Sequence, residues 1–266
     1  MSTYVMSDIH GCYDDFLAML GRLGLSGDDR LILAGDYVDR GEQSLEMLRW
    51  LESCPPNVTV LKGNHDAEFA GYVRMLKLID DKADLQTDPN SNRDLQVLLD
   101  TVRYTIRSKA GEMMGYFDYY GTVDSLIMTK GVTLDDMSRW MEMIDRLPYL
   151  ERFECGGRQC VVVHAGFCDE ASLAASGHTS PEDFYIYARE EGMRIGGLSH
   201  GMVIFGHTPT IAKDSGFYND GNVFRYHDTA KDCIFYDIDC GCVFRGRYPS
   251  AKLACLRVDD EEVFYL

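Results

Sequence analysis

From Met1 to Leu61, short apolar runs alternate with amphipathic stretches. Thr3–Ser7 reads as a strand, and Asp14–Leu25 then sets Phe16, Leu20 and Leu23 at helical spacing. Arg30–Ala34 is a second strand, Leu45–Leu51 lies on a second helix, and Val58–Leu61 is a third strand. The order β-α-β-α-β predicts a parallel sheet with right-handed crossovers. A polar cluster follows each strand. Asp8 to Asp36 is 28 positions and Asp36 to Asn64 is 28 again, close to one βαβ unit of roughly 30 residues. These clusters therefore fall at successive strand C-termini, the edge along which open α/β sheets place their sites.

The second half has a different rhythm. Cys160–Val163, Met202–Phe205, Cys233–Ile238 and Leu253–Val258 are short apolar strands joined by Gly-rich connections, and Val263–Leu266 closes a final hairpin. A second sheet packed on the first follows, within a single domain spanning residues 1–266. Between the halves, an insertion runs from about Tyr72 to Tyr149. Its stretch Asp80–Asp94 reads as a polar loop. Leu95–Ser108 and Leu134–Leu147 read as amphipathic helices, the latter with Met137, Trp140, Met141 and Ile144 on one face. Met113–Tyr120 is rich in Met and aromatics. A cap over the sheet edge would place Tyr116, Phe117 and Tyr119 beside the site there.

Composition narrows the class. The chain has 266 residues, enough for a substantial core, with 45% hydrophobic and 26% charged positions. No apolar run approaches a membrane span, and no basic start with an apolar segment marks export, so a cytoplasmic location is expected. The net charge of −17 opposes nonspecific binding to a phosphate backbone. Nine cysteines without a CxxC pair read as mostly buried thiols in a reducing compartment. Cys12, beside the first polar cluster, is a candidate redox-sensing thiol.

Five clusters carry chemistry. Ser7-Asp8-Ile9-His10-Gly11 brings a carboxylate and an imidazole to one strand end, a pair suited to a divalent transition metal. Gly35-Asp36-Tyr37-Val38-Asp39-Arg40-Gly41 supplies two carboxylates and a guanidinium whose planar fork fits phosphate. Gly63-Asn64-His65-Asp66 offers a neutral oxygen ligand and an adjacent imidazole able to donate a proton, or simply a turn with a helix cap at Asp66. His164-Ala165-Gly166 and Gly206-His207-Thr208-Pro209 each follow a buried strand directly. His178, His200 and His227 match no motif and read as structural or exposed.

In this order, DxHG, GDxxDRG, GNHD, HAG and GHTP resemble the calcineurin-like metallophosphoesterases of the phosphoprotein phosphatase family. The bacterial and phage branch, which includes the symmetrical diadenosine tetraphosphate hydrolases, is the most similar. The resemblance covers most of the chain outside the insertion. It implies an α/β fold, a metallophosphoesterase-type β-sandwich of mixed sheets flanked by helices, with the insertion mostly helical. It also implies two divalent transition-metal ions: manganese first, with iron, zinc or nickel as alternatives. Asp8, His10 and Asp36 would hold one ion; Asp36, Asn64, His164 and His207 would hold the other. His65 would be the general acid, oriented by Asp39. Arg40 would bind phosphate, and Arg189 would be the second phosphate-binding arginine, with Arg194 the alternative. The implied activity is hydrolysis of phosphomonoesters by a metal-activated hydroxide, as in serine/threonine protein phosphatases. Symmetrical hydrolysis of diadenosine tetraphosphate is the alternative, favoured by GNHD and the ending Asp239-Cys240-Gly241-Cys242. The partners expected are a phosphorylated protein or a small phosphoester or nucleotide, with no nucleic acid and no membrane. A non-catalytic phospholigand-binding module is disfavoured, because binding alone needs no proton donor such as His65.

Overall fold

The computed structural model of the protein describes residues 1–83, 95–101, 121–129 and 131–266. Two five-stranded mixed sheets pack face to face, in the orders β10-β9-β1-β2-β3 and β4-β5-β6-β8-β7. In the first, β1 (Thr3–Met6), β2 (Arg30–Leu33) and β3 (Val58–Val60) are parallel, and β9 (Ala254–Arg257) runs antiparallel to both β1 and β10 (Glu262–Tyr265). In the second, β5 (Arg158–Val163), β6 (Gly201–Phe205) and β8 (Cys233–Asp237) are parallel, with β4 (Leu150–Cys155) and β7 (Phe224–Asp228) as antiparallel edges.

Strand alternation builds the layers. Val5 and Ile32 point between the sheets and meet Cys160, Val162, Met202, Ile204 and Ile234. Their neighbours Tyr4, Met6, Leu31 and Leu33 point the other way, onto a helical layer. That layer contains α1 (Tyr13–Leu23), α2 (Ser44–Glu52) and α3 (Asn64–Ala83). The outer face of the second sheet, with Val161, Val163, Val203 and Phe235, packs under Phe167 and Phe217. Period-2 burial on both sheets is what a sandwich requires.

The insertion joins the helical layer. α3 begins at Asn64 and continues without a break past Tyr72 to Ala83. Its buried Phe69, Tyr72, Val73 and Leu76 recur at helical spacing and share one apolar cluster with Val123, Leu126, Met137, Trp140 and Ile144. The expected loop over Asp80–Asp94 is thus corrected at its start, where this packing carries the helix through to Ala83. Residues 95–101 are helical, Gly121–Met128 forms a further helix, and Leu134–Asp145 confirms the amphipathic helix read there. The remainder of Leu95–Ser108 and all of Met113–Tyr120, with Tyr116, Phe117 and Tyr119, lie outside the described residues. Among the described residues, no helix is long and apolar enough to cross a membrane.

Candidate metal centre and active site

The loops after β1, β2, β3, β5 and β6 meet at one edge of the sandwich and are stitched together by their backbones. Asp8 N donates to Gly35 O (3.1 Å), His10 N to Asp36 O (2.9 Å), and Gly206 N to His164 O (2.8 Å). Asp66, near the start of α3, completes the frame. Its carboxylate accepts the N–H groups of Asp36 (2.8 Å), Tyr37 (3.0 Å) and Gly63 (2.9 Å). Burial, then the neighbouring Asp36 charge, push its pKa up to about 7. The backbone here is held in costly shapes. Asp8, His10, Asp36, Asp39, Arg40 and His207 all take positive φ, between 47° and 72°, a conformation that costs non-glycine residues on the order of 1–3 kcal/mol each. The glycines of the motifs have a steric reason. A Cβ on Gly63 would collide with the Asp36 carboxylate, and one on Gly206 with that of Asp8.

Side chains from all five motifs converge. Asp36 Oδ2 lies 3.5 Å from His10 Nε2 and 3.4 Å from His164 Nε2. Asn64 Oδ1 lies 3.0 Å from His164 Nε2 and 2.9 Å from His207 Nδ1. Asp8 Oδ1 is 3.9 Å from His10 Nε2. Asp36, His164 and His207 form one group of potential metal donors within 4.8 Å of one another; His10, Asp36 and His65 form a second. Asp36 is common to both.

Two further features fit cations. Nδ1 of His10 hydrogen-bonds with Val38 O (2.9 Å) and Nδ1 of His164 with Ala34 O (2.8 Å), so each ring is fixed with Nε2 facing the centre. Asp8 Oδ1, 3.9 Å from His10 Nε2, is buried without a hydrogen-bond partner, as an oxygen that a cation could take would be. The charge state is conflicted in the same sense. Burial pushes His10 down to about 3 and His207 well below the usual histidine range, and raises Asp8. Burial also opposes a charged His164, yet Asp36 and Asp8 outweigh it and push that histidine up to about 10. Asp36 is held well below the carboxylate range because His164, His65 and His10 outweigh its burial. The carboxylates thus favour positive charge at this point of the cluster.

The proton-handling side chains sit beside this cluster. His65 Nδ1 donates to Asp39 Oδ2 at 2.9 Å. Burial alone would lower the His65 pKa, but Asp36 and the Asp39 hydrogen bond raise it. Arg40 spans two rings, with Nη1 2.5 Å from His10 Nε2 and Nη2 2.8 Å from His65 Nε2. Arg189 donates to Thr208 Oγ1 at 3.2 Å. It lines a cavity of about 400 Å³ with Asn64, Glu68, His178, Asp183, Tyr187 and His207. Arg194 lines a separate hollow of about 800 Å³, which Arg189 also borders.

Some contributors carry no sequence signal. Thr122 of the insertion reaches Asp39. His178, read from sequence as structural or exposed, borders the cavity and pairs with Asp183 (3.2 Å) and Glu191 (3.3 Å). His200 and His227 lie elsewhere, both on Asp232. Cys12 gathers with Asp15 and Cys242 into a third group of potential donors. There Arg245 donates to Asp15 at 2.7 Å, so a positive charge already sits on that carboxylate.

A family model for calcineurin-like phosphoesterases matches residues 1–210. The chain belongs to that family, whose members use divalent metal ions. It is 47% identical over 79 residues to a symmetrical bis(5'-nucleosyl)-tetraphosphatase of Cronobacter sakazakii. The corresponding Escherichia coli K12/DH10B protein is 44% identical over 79 residues. The match spans 28% of this chain and 28% of each relative's length. Among solved structures, a Saccharomyces cerevisiae protein serine/threonine phosphatase covers 97% of this chain and 73% of its own, with TM-score 0.54 and 14% identity. A candidate diadenosine tetraphosphatase covers 99% and 92%, with TM-score 0.51 and 16% identity. At these identities the structural likenesses establish the fold.

Proposed function

We propose that the chain hydrolyses phosphomonoesters in the manner of a serine/threonine protein phosphatase, at a centre holding two divalent ions. The observation that carries this reading is the position of Asp36, whose Oδ2 lies within 3.5 Å of both His10 and His164, beside the Asp39–His65 pair. Asp8, His10 and Asp36 would hold one ion, and Asp36, Asn64, His164 and His207 the other. When bound, the ions supply a hydroxide nucleophile near neutral pH and neutralise phosphate charge. Manganese is our first choice for a set of oxygen and nitrogen ligands, with iron, zinc or nickel as alternatives.

The remaining chemistry belongs to the chain. Arg40, poised between the His10 and His65 rings, would leave them for phosphate oxygens and stabilise the charge that builds there. Arg189 would do so from the other side, supported by its place in one cavity with Asn64 and His207. His65 would protonate the leaving oxygen. Its Nδ1 bond to Asp39 leaves Nε2 to carry the transferred proton once Arg40 has moved off it to phosphate, and the raised pKa favours the cation.

A second reading is symmetrical hydrolysis of diadenosine tetraphosphate. It is favoured by the 47% identity to the Cronobacter sakazakii tetraphosphatase. Either substrate is consistent with a cytoplasmic location. The two readings separate in a panel with added manganese: a phosphopeptide, a generic aryl phosphate and diadenosine tetraphosphate. Preferential turnover of the phosphopeptide supports the first reading, and of the tetraphosphate the second. Absence of turnover of all three by metal-loaded protein would overturn both.

A further inference from the structure

Among the described residues of the insertion, Thr122 meets the proton-donor pair through two buried hydrogen bonds. Thr122, the second residue of the helix Gly121–Met128, is 3% exposed. Its hydroxyl accepts the Asp39 N–H at 2.8 Å and donates to Asp39 Oδ1 at 2.5 Å. The other carboxylate oxygen, Oδ2, receives His65 Nδ1–H at 2.9 Å. Ser44 Oγ of α2 closes the arrangement, at 3.2 Å from Asp39 N and 3.3 Å from Thr122 Oγ1. Asp39 is thus held at both ends. Its backbone, at φ 69°, is in the left-handed region, where a non-glycine residue persists only if its surroundings over-determine it. A carboxylate with one oxygen committed to a buried hydroxyl has a fixed plane, and the second oxygen then fixes the imidazole.

We infer that Thr122 is a positioning residue for proton transfer, and that through it the insertion is part of the catalytic apparatus. This rests on the proposed role of His65 as general acid. The hydroxyl would not touch substrate. It would set the Asp39 carboxylate, which sets the His65 ring, which carries the proton to the leaving oxygen. The effect belongs to turnover and to poor leaving groups, because a good leaving group departs without a proton. A purely structural role would lower stability or metal content and would affect all substrates alike.

The test compares alkyl and aryl phosphates on the manganese-loaded protein. Thr122→Val keeps the side-chain shape and removes the hydroxyl. It should lower kcat for the alkyl ester by roughly 10²-fold, the scale of a misplaced catalytic group, with KM and metal content unchanged and aryl turnover much less affected. Thr122→Ser should restore the alkyl rate. In a His65→Asn background, Thr122→Val should cost nothing further, since the group it positions is gone. Thr122→Ala serves the same comparison if the valine variant fails to fold. Equal losses on both esters, or additive losses in the double variant, would overturn the inference. The underlying reading fails separately: if His65→Asn alone shows no dependence on leaving group, the general-acid assignment is wrong.

Discussion

At the scale of single residues, chemistry and fold make conflicting demands, and Asp36 carries the conflict furthest. It is 1% exposed and lies against His10 and His164. If it is shared between two ions, Asp36→Asn should leave fewer than two metals per chain by elemental analysis; a fully loaded, active variant would refute the sharing. His65 should behave differently. His65→Asn should retain both ions yet lose roughly 10²–10⁴ in turnover on alkyl phosphates, and less on aryl phosphates. Most of these residues were legible in the sequence. Each of the five motifs follows an apolar strand, and the fold itself fixes the spacing of the first three; Arg189, by contrast, follows the helix Pro181–Tyr187. Thr122 was not legible. It reaches Asp39 across 83 positions of chain, from a helix whose own pattern specifies only burial. His178 and Asp66 show two other limits: a histidine outside any motif can still border the cavity, and an acid inside one can serve only to hold backbone amides.

At the scale of elements, eight of the ten strands among the described residues announce themselves and two do not, for one physical reason. β4 and β7 are the edges of the second sheet, and their sequences, LERFEC and FRYHD, expose much of their length. Edge strands that face water need no apolar run, and charge on them discourages further pairing. The helix Leu134–Asp145 was readable from its apolar face, and the structure adds a cap at its start. Thr133 and Asp136 form a capping box: Thr133 Oγ1 accepts Asp136 N–H at 3.1 Å, and Asp136 Oδ2 accepts Thr133 N–H at 2.8 Å. Thr133→Ala should destabilise the protein by about 1 kcal/mol in chemical or thermal unfolding. Partial burial would raise the Asp136 pKa, but the Thr133 bonds and Arg139 outweigh it and hold it low. A depressed folded pKa means that its contribution is present above the unfolded carboxylate range and is lost as pH falls through the folded value. The cost of Asp136→Ala at pH 7 should therefore shrink below about pH 4. A cost that does not change with pH would show that the carboxylate charge is not what the cap uses.

At the scale of the whole molecule, the site and the rest of the chain oppose each other in sign. The chain carries 43 acidic against 26 basic residues, a net charge of −17. In the proposed site, Arg40, Arg189 and the two ions would reverse this only locally. An anionic substrate must cross the outer negative field before it meets the inner positive one. Exposed charges act over about one Debye length, roughly 10 Å at 0.1 M salt, so added salt weakens the distant repulsion first. Contacts inside the cleft are close and partly buried, and salt screens them much less. Raising potassium chloride from 10 to 150 mM at fixed, saturating manganese should therefore increase kcat/KM. The increase should be larger for diadenosine tetraphosphate than for a dianionic aryl phosphate, because repulsion scales with substrate charge. The measurement is initial rate at substrate concentrations well below KM, with metal content checked at each salt. A fall in kcat/KM with salt would mean that the local positive field extends beyond the cleft and steers substrate in, despite the acidity of the chain as a whole.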